Sequence, residues 1–164
     1  MVAVGDPLAN GNVGAATVFN SALMPTVLNP ATAVSGNGAF GTSLALSGST
    51  LVVGAPGDDP GFGPFTANTG SVRVFTQAAG AWPELQRLVY PATFGRRFGT
   101  SVDASGDTVV VGSPQGPFGN MSGAVHAFAL TPGTTPYGPA LEVLLGAPGD
   151  RLGTAVAVSA TRIA

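Results

Sequence analysis

The chain has 164 residues, of which 45% are apolar and only 9% are charged, and its net charge is −2. This balance excludes a disordered segment, which is normally poor in apolar residues and rich in charge. The absence of any basic stripe argues against nucleic acid as a partner. No cysteine is present, which excludes a disulfide framework and thiolate metal sites. No apolar run is long enough for a membrane-spanning helix.

The first predicted strands lie in the N-terminal quarter of the chain. Val2–Val4 is apolar and leads into Gly5-Asp6-Pro7, Gly14–Phe19 reads as a second strand, and a weaker strand follows at Thr26–Leu28. The 25 glycines and 14 prolines indicate frequent turns between them. These first residues lack a charged region followed by an apolar core, so they are not a signal peptide.

A repeated pattern begins at Phe40-Gly41-Thr42-Ser43. It recurs at Phe98-Gly99-Thr100-Ser101 and at Leu152-Gly153-Thr154-Ala155. Fourteen residues after each of the two phenylalanines stands a second signal, Gly54-Ala55-Pro56 or Gly112-Ser113-Pro114, to which Gly5-Asp6-Pro7 corresponds near the N terminus. A third signal runs from a glycine to a phenylalanine five residues later, at Gly14–Phe19, Gly70–Phe75 and Gly123–Phe128.

The spacing within each repeat separates strands from loops. The first and third spacings are constant, whereas the distance from the second signal to the third glycine varies, and only loops tolerate such variation. Ser47-Gly48 and Ser105-Gly106 are two-residue hairpin loops, each followed by a β-branched run that indicates a buried strand. With weaker fourth strands at Leu85–Val89 and Leu141–Leu145, each unit has four antiparallel strands, which predicts an all-β propeller.

Phe-Gly followed fourteen residues later by Gly-Ala-Pro resembles the FG-GAP repeat of integrin α-subunit propellers and of many bacterial surface proteins. The resemblance covers nearly the whole chain. It implies that Phe-Gly begins the innermost strand of a blade and that Gly-Ala-Pro ends the second. It also implies a ligand-binding face and, in many members, a calcium loop. The loops Ser47–Ser49 and Ser105–Asp107 depart from that loop, being too short and having too few carboxylates.

Aligning the repeats predicts three blades in a single repeat domain, one of them split between the termini. Residues 1–39 supply strands two to four of the split blade, 40–97 and 98–151 are whole blades, and 152–164 supply the missing first strand. Three blades cannot close a ring, and their open edges invite pairing with another chain. We therefore expect a homodimer that forms a six-bladed ring. A fragment of a longer chain, perhaps with seven blades, and a chain engineered or truncated without any ligand, are the rival interpretations.

Catalytic and metal-binding groups are sparse. His126 is the sole histidine and lies inside a predicted strand, where it has neither a nucleophile nor other metal ligands beside it in the sequence. Asp58-Asp59 is the one adjacent acidic pair, and a solvated turn is its expected environment. Asp103 and Asp107 flank a hairpin without a third ligand. We expect no enzyme activity, no cofactor and no bound metal.

A ligand is expected at the face that carries the long connections between strands two and three and between successive blades. Binding residues concentrate on loops held by a rigid scaffold. The expected function is a non-catalytic interaction module of a secreted or cell-surface protein that binds protein or glycan, with a lectin-like propeller and an accessory domain of a hydrolase as alternatives. The candidate ligand-binding residues are Asp58, Asp59, Phe62, Phe65, Arg96, Arg97, Phe118 and Asn120.

Overall fold

The structure is a computed structural model, and it consists of three antiparallel β-sheets that follow one another along the chain. It describes residues 1–30, 32, 37–59, 68–90, 97–115, 121–129, 138 and 142–159, with residues 142 and 143 described by their backbone alone. In the described part of the chain, no helix is long and apolar enough to cross a membrane.

Each sheet is built from strands that are adjacent in sequence. The first sheet contains β1 (Val2–Asp6), β2 (Ala15–Phe19) and β3 (Pro25–Val27). The second contains β4 (Ser43–Ser47), β5 (Thr50–Ala55), β6 (Ser71–Thr76) and β7 (Glu84–Leu88). The third contains β8 (Ser101–Ser105), β9 (Thr108–Ser113), β10 (Ala124–Ala129) and β11 (Glu142–Leu145). A four-residue element, α1 (Ala9–Asn12), precedes β2, and its two central residues have left-handed backbone angles.

The strand pairing follows the fixed spacings of the sequence repeat. Ser43 pairs with Gly54 and Ser47 with Thr50, and the same register joins Ser101 to Gly112 in the third sheet. All-β blades of antiparallel strands are therefore confirmed as the fold class, and the predicted fourth strands are present as β3, β7 and β11. The division of the chain at residues 39, 97 and 151 stays a prediction.

The Phe-Gly signals join each sheet to the one before it. Isolated parallel bridges connect Gly14 with Phe40, Gly70 with Phe98 and Gly123 with Leu152. The backbones approach so closely that a Cβ built on Gly70 would lie 2.1 Å from the carbonyl oxygen of Phe98. A side chain is thereby excluded at this position. The glycine that precedes the third strand is thus explained by the junction between sheets.

Two apolar clusters fill the spaces between the sheets. The first lies between the first and second sheets, where Val18 and Leu28 meet Phe40, Leu51 and Phe75. The second lies between the second and third sheets, and its members are Ala45, Val52, Val72, Val74, Leu88, Phe98, Val102, Val109, Val111 and Phe128. The second sheet contributes to both clusters, because successive side chains of a strand point to opposite faces of the sheet. The second sheet is consequently buried on both faces, as its continuous β-branched run predicts.

The C-terminal segment 152–159 begins like a first strand without becoming one. Leu152 bridges to Gly123, and the carbonyl oxygen of Gly153 accepts a hydrogen bond from Ser101 Oγ at 2.8 Å. The equivalent bond in the second sheet runs from Ser43 Oγ to the carbonyl oxygen of Gly99 at 2.9 Å. Residues 154–159 have no strand partner in the described part of the chain. Their predicted role as the first strand of a split blade is taken up under the proposed function.

Candidate functional site: the loop-rich face

The long connections emerge at one end of the three sheets. In an up-and-down sheet, the loop from strand two to strand three and the connection from strand four to the next sheet lie at the same end. That end carries Pro7 and Leu8, Pro56 to Asp59, and Pro114 with Gln115. The opposite end carries the tight β4–β5 and β8–β9 hairpins. We call the first end the loop-rich face.

One backbone turn is repeated three times on the loop-rich face. Ala39, Arg97 and Arg151, each directly before a Phe-Gly or Leu-Gly pair, have φ values of 52°, 52° and 53°. A left-handed backbone is uncommon for residues other than glycine. Each of these turns is held by a threonine three residues later, whose Oγ1 donates to the carbonyl oxygen at 2.7, 2.8 and 2.7 Å respectively. The Thr of the Phe-Gly-Thr signal is therefore a turn residue.

The same repeat forms two equivalent pockets. One, of about 220 Å³, is lined by Arg97, Thr100, Pro114, Gln115, Met121, Arg151 and Thr154. The other, of about 400 Å³, is lined by Pro7, Leu8, Asn12, Asn37, Ala39, Pro56, Gly57, Asn68 and Arg97. Repeat alignment superposes Ala39 on Arg97, Pro56 on Pro114 and Arg97 on Arg151. Arg97 therefore belongs to both pockets, as the later residue of one and the earlier residue of the other.

Asp58 lies beneath this face and is only 1% exposed. Its Oδ2 accepts hydrogen bonds from Ser71 Oγ at 2.6 Å and from Arg87 Nη2 at 2.9 Å. Arg73, which is fully buried, approaches the same oxygen with Nη2 at 3.3 Å. Arg73 Nη1 lies 3.2 Å from Glu84 Oε1, so the two arginines and two acids form one buried charge network.

The expected solvated turn is therefore wrong for Asp58. A carboxylate can be buried when charged donors surround it, and this one has two guanidinium groups and a hydroxyl. Asp59, in contrast, is exposed, and its Oδ1 accepts a hydrogen bond from the backbone N–H of Asn68. The network ties the loop after β5 to β6 and β7. The ligand-binding roles expected for Asp58 and Asp59 remain predictions.

Of the other candidate residues, Arg97 is exposed on the loop-rich face and lines both pockets. Phe62, Phe65, Arg96, Phe118 and Asn120 lie outside the described residues. Sequence reasoning missed Arg151, which shares a pocket with Arg97. The signal that could have found it is the repeat itself, because Arg97 stands directly before Phe-Gly-Thr and Arg151 directly before the corresponding Leu-Gly-Thr.

His126 is fully buried between the second and third sheets. Its Nε2 lies 3.2 Å from Ser113 Oγ, and its ring packs against Tyr90 and Phe98 at centroid distances of 4.4 and 5.3 Å. It occupies the position in β10 that Arg73 occupies in β6, so both sheet junctions bury a polar side chain there. The histidine ring therefore lies within the junction between the two sheets, in contact with two aromatic rings and a serine hydroxyl.

Two further groups bear on metal and glycan binding. The Asp103 carboxylate, beside one short hairpin, accepts hydrogen bonds from the backbone N–H groups of Ala104 and Val158. In the part of the chain that the structure describes, no three His, Asp or Glu side chains lie close enough to hold a metal ion. Trp82 is 8% exposed within the first apolar cluster, so its ring is not offered to a sugar.

Comparison with known families identifies the repeat. A family model described as the FG-GAP repeat matches residues 31–75 and 91–128, which together make up half of the chain. Both matched regions contain a Phe-Gly pair and the β-hairpin after it, and they end at Phe75 or Phe128, one residue before the end of the third strand. No curated protein matches the chain.

Proposed function

Because this chain belongs to the FG-GAP repeat family, we propose that it is a non-catalytic β-propeller module of a secreted or cell-surface protein. It self-associates to complete a ring of blades, and it binds protein or glycan through the loop-rich face. The observation that carries the proposal is the pair of exposed apolar faces at the two ends of the stack of sheets.

The first exposed face belongs to the first sheet and points away from the second. Val2, Val4 and Val27 on this face are 55%, 49% and 58% exposed. Val4 and Val27 share this face with Thr17, which lies between them, since Val4 pairs with Thr17 and Thr17 with Val27. Apolar side chains grouped in this way on a sheet face indicate a surface that packs against another.

The second exposed face belongs to the third sheet. Val110, Val125 and Ala127 are half-buried and Leu144 is 51% exposed. The equivalent residues of the second sheet are Val52, Val72, Val74 and Leu88, and each is 3% exposed or less because the third sheet covers them. The third sheet therefore has the same apolar face as the second sheet, without a sheet against it.

The two exposed faces match each other through the repeat. Within the chain, the face of each sheet that points towards the following sheet packs against the face of that sheet that points back, once in each apolar cluster. The exposed face of the third sheet is one that points towards a following sheet. The exposed face of the first sheet is one that points back towards a preceding sheet. A second copy of this chain supplies both, and two copies give six blades, within the usual range of about four to eight.

Backbone edges support the same partner. β1 corresponds to β5, yet the first sheet has three strands and lacks the one that would pair with β1. Residues 155–159 correspond to β4 and lack a strand partner in the described part of the chain. Exposed strand edges of this kind pair readily with another chain. Transferring the β4–β5 register places Val156 of one copy opposite Val4 of the other.

This register gives a direct experiment, because the chain has no cysteine of its own. Residues paired across antiparallel strands have Cα atoms about 4.5–5.5 Å apart, which suits a disulfide. The double variant Val4→Cys/Val156→Cys should therefore form a disulfide-linked dimer on mild oxidation. The matched control Ala3→Cys/Val156→Cys should not, since Ala3 points to the other face of β1. Equal cross-linking of both variants, or of neither, would contradict the proposal. A structure in which further blades of a longer chain cover the same faces would contradict it as well.

Binding through the loop-rich face is supported by the convergence of loops from all three sheets and by the pockets between them. The experiment compares two sets of substitutions against an array of extracellular proteins and glycans. Leu8→Asp and Gln115→Ala alter the loop-rich face, whereas Ser49→Asp alters the hairpin end. We expect binding that the first set weakens and the second leaves unchanged. Binding that is weakened only by Ser49→Asp would place the site at the hairpin end and contradict the proposal.

A further inference from the structure

We propose that the pocket between Arg97 and Arg151 binds a carboxylate, namely an acidic side chain of a protein partner. This inference rests on the proposed role of the loop-rich face and specifies the chemistry of the ligand. Both arginines are exposed, and both line the pocket of about 220 Å³. A pocket of that size accommodates a side chain rather than a whole small molecule of drug size.

The charge of the pocket is the first argument. Two of the four arginines that the structure describes, Arg97 and Arg151, line this one pocket, and none of its described lining residues is acidic. In a chain whose net charge is −2, this is a local concentration of positive charge.

The contacts of Arg151 point the same way. Its Nη2 lies 3.4 Å from Met121 Sδ, a weak acceptor, and it takes part in none of the ion pairs found among the described residues. Guanidinium groups present parallel N–H donors that match the two oxygens of a carboxylate. Two such groups around one small pocket favour a carboxylate over a neutral ligand.

The backbones of both arginines are fixed before any ligand arrives. The N–H of Arg97 donates to the carbonyl oxygen of Asn68 at 3.1 Å, and that of Arg151 donates to Met121 at 2.8 Å. Their own carbonyl oxygens accept bonds from Thr100 and Thr154. Because the backbone is already fixed, only the side chains lose conformational freedom on binding, which lowers the entropic cost. The left-handed turn is common to all three repeats, so it serves here as a support and is not itself evidence for a ligand.

The equivalent pocket one repeat earlier provides an internal comparison. It has Ala39 where this pocket has Arg97, so it contains one arginine rather than two.

The other residues that line the Arg97–Arg151 pocket favour a protein ligand over a sugar. Pro114 and Met121 offer apolar contact to the methylene groups of a glutamate, and no aromatic ring that could stack on a sugar is among the described lining residues.

The experiment is an NMR titration that follows the arginine Nε–Hε signals. The probe is a Gly-Glu-Gly peptide that is acetylated at its N terminus and amidated at its C terminus, so that the glutamate side chain is its only carboxylate. The Gly-Gln-Gly peptide with the same end groups is the matched control, and glucuronic acid and inorganic phosphate are separate arms. We expect the glutamate peptide to shift the signals of Arg97 and Arg151 and the glutamine peptide to leave them unchanged. Arg151→Gln should weaken the binding about tenfold, the loss expected for one charge-assisted hydrogen-bonded contact.

A gain of binding provides the second test. Ala39→Arg places a second arginine in the equivalent pocket at a φ that Arg97 and Arg151 already adopt. It should create a second peptide site, reported by shifts of the new arginine. This variant keeps the proposal testable if Arg151→Gln fails to fold.

Three results would overturn the inference: no shift with the glutamate peptide, equal shifts with the glutamine peptide, or stronger binding of glucuronic acid or phosphate than of the peptide. Array binding that still responds to Leu8→Asp would then show that the loop-rich face functions and that only the carboxylate assignment is wrong. If array binding does not respond to the loop-rich variants either, the proposed function itself fails.

Discussion

Replacing Gly54 by alanine tests whether close contact between sheets is the reason for the Gly-Ala-Pro signal. Gly54 is the penultimate residue of β5, a buried strand, and has an ordinary backbone conformation. A Cβ built there would lie 2.1 Å from the carbonyl oxygen of Gly99 and 2.3 Å from Ser43 Oγ. Because the nearest atom belongs to the backbone of the next sheet, the clash cannot be relieved by turning a side chain.

The size of the effect follows from this geometry. Overpacking a well-packed site costs about 1–3 kcal/mol, and a contact with backbone belongs at the upper end, so Gly54→Ala should lower the free energy of unfolding by about 3 kcal/mol. Gly48→Ala in the same sheet is the matched control. Its φ is +57° and a Cβ there meets nothing within 4 Å, so it costs only the left-handed strain of about 1–2 kcal/mol.

The assay is urea unfolding of both variants at one fixed protein concentration, since any association contributes to the measured stability. Gly54→Ala should have the lower midpoint with an unchanged slope. A midpoint for Gly54→Ala equal to or above that of Gly48→Ala would show that the sheets do not approach as closely as described here.

Two further predictions concern the buried groups. Asp58→Ala should lower the free energy of unfolding by about 3–5 kcal/mol, because it leaves two guanidinium groups facing each other without their shared carboxylate. The control Asp59→Ala, at an exposed site, should lower it by about 1 kcal/mol. Equal losses for the two variants in urea unfolding would argue against the network. Phe98→Ala should lower the free energy of unfolding by about 3–5 kcal/mol through loss of packing between the second and third sheets. Leu8→Ala, at a residue that is 73% exposed, should change the melting temperature little. A Phe98→Ala variant with an unchanged melting temperature would contradict the packing described for the second cluster.

Constant spacing made the strands predictable from sequence. The interval between Phe40 and Gly54 recurs between Phe98 and Gly112 because both residues are held in hydrogen-bonded register with the neighbouring strand and the neighbouring sheet. An inserted residue would move the following side chains to the opposite face of the sheet, so the number of residues between the two signals is constrained. The variable loops are under no such constraint, so only the end of the sheets at which they lie could be predicted from the sequence.

The buried charge network shows where sequence reasoning stops. Asp58-Asp59 looks like a solvated pair, and nothing local distinguishes the buried member from the exposed one. Their difference arises from Arg73 and Arg87, which lie on β6 and β7 and meet Asp58 only after the sheet has formed. Arg73 between Val72 and Val74 was a hint, since a charge buried within a strand needs a partner.

The exposed end faces are tested most directly by the mass of the chain in solution. Sedimentation equilibrium should give twice the mass of the 16.1 kDa chain. Val4→Lys, on the exposed face of the first sheet, should shift the equilibrium to the single chain. Leu23→Lys, at a more exposed position just before β3, should not. A folded single chain at all concentrations, or a dimer indifferent to Val4→Lys, would contradict the account.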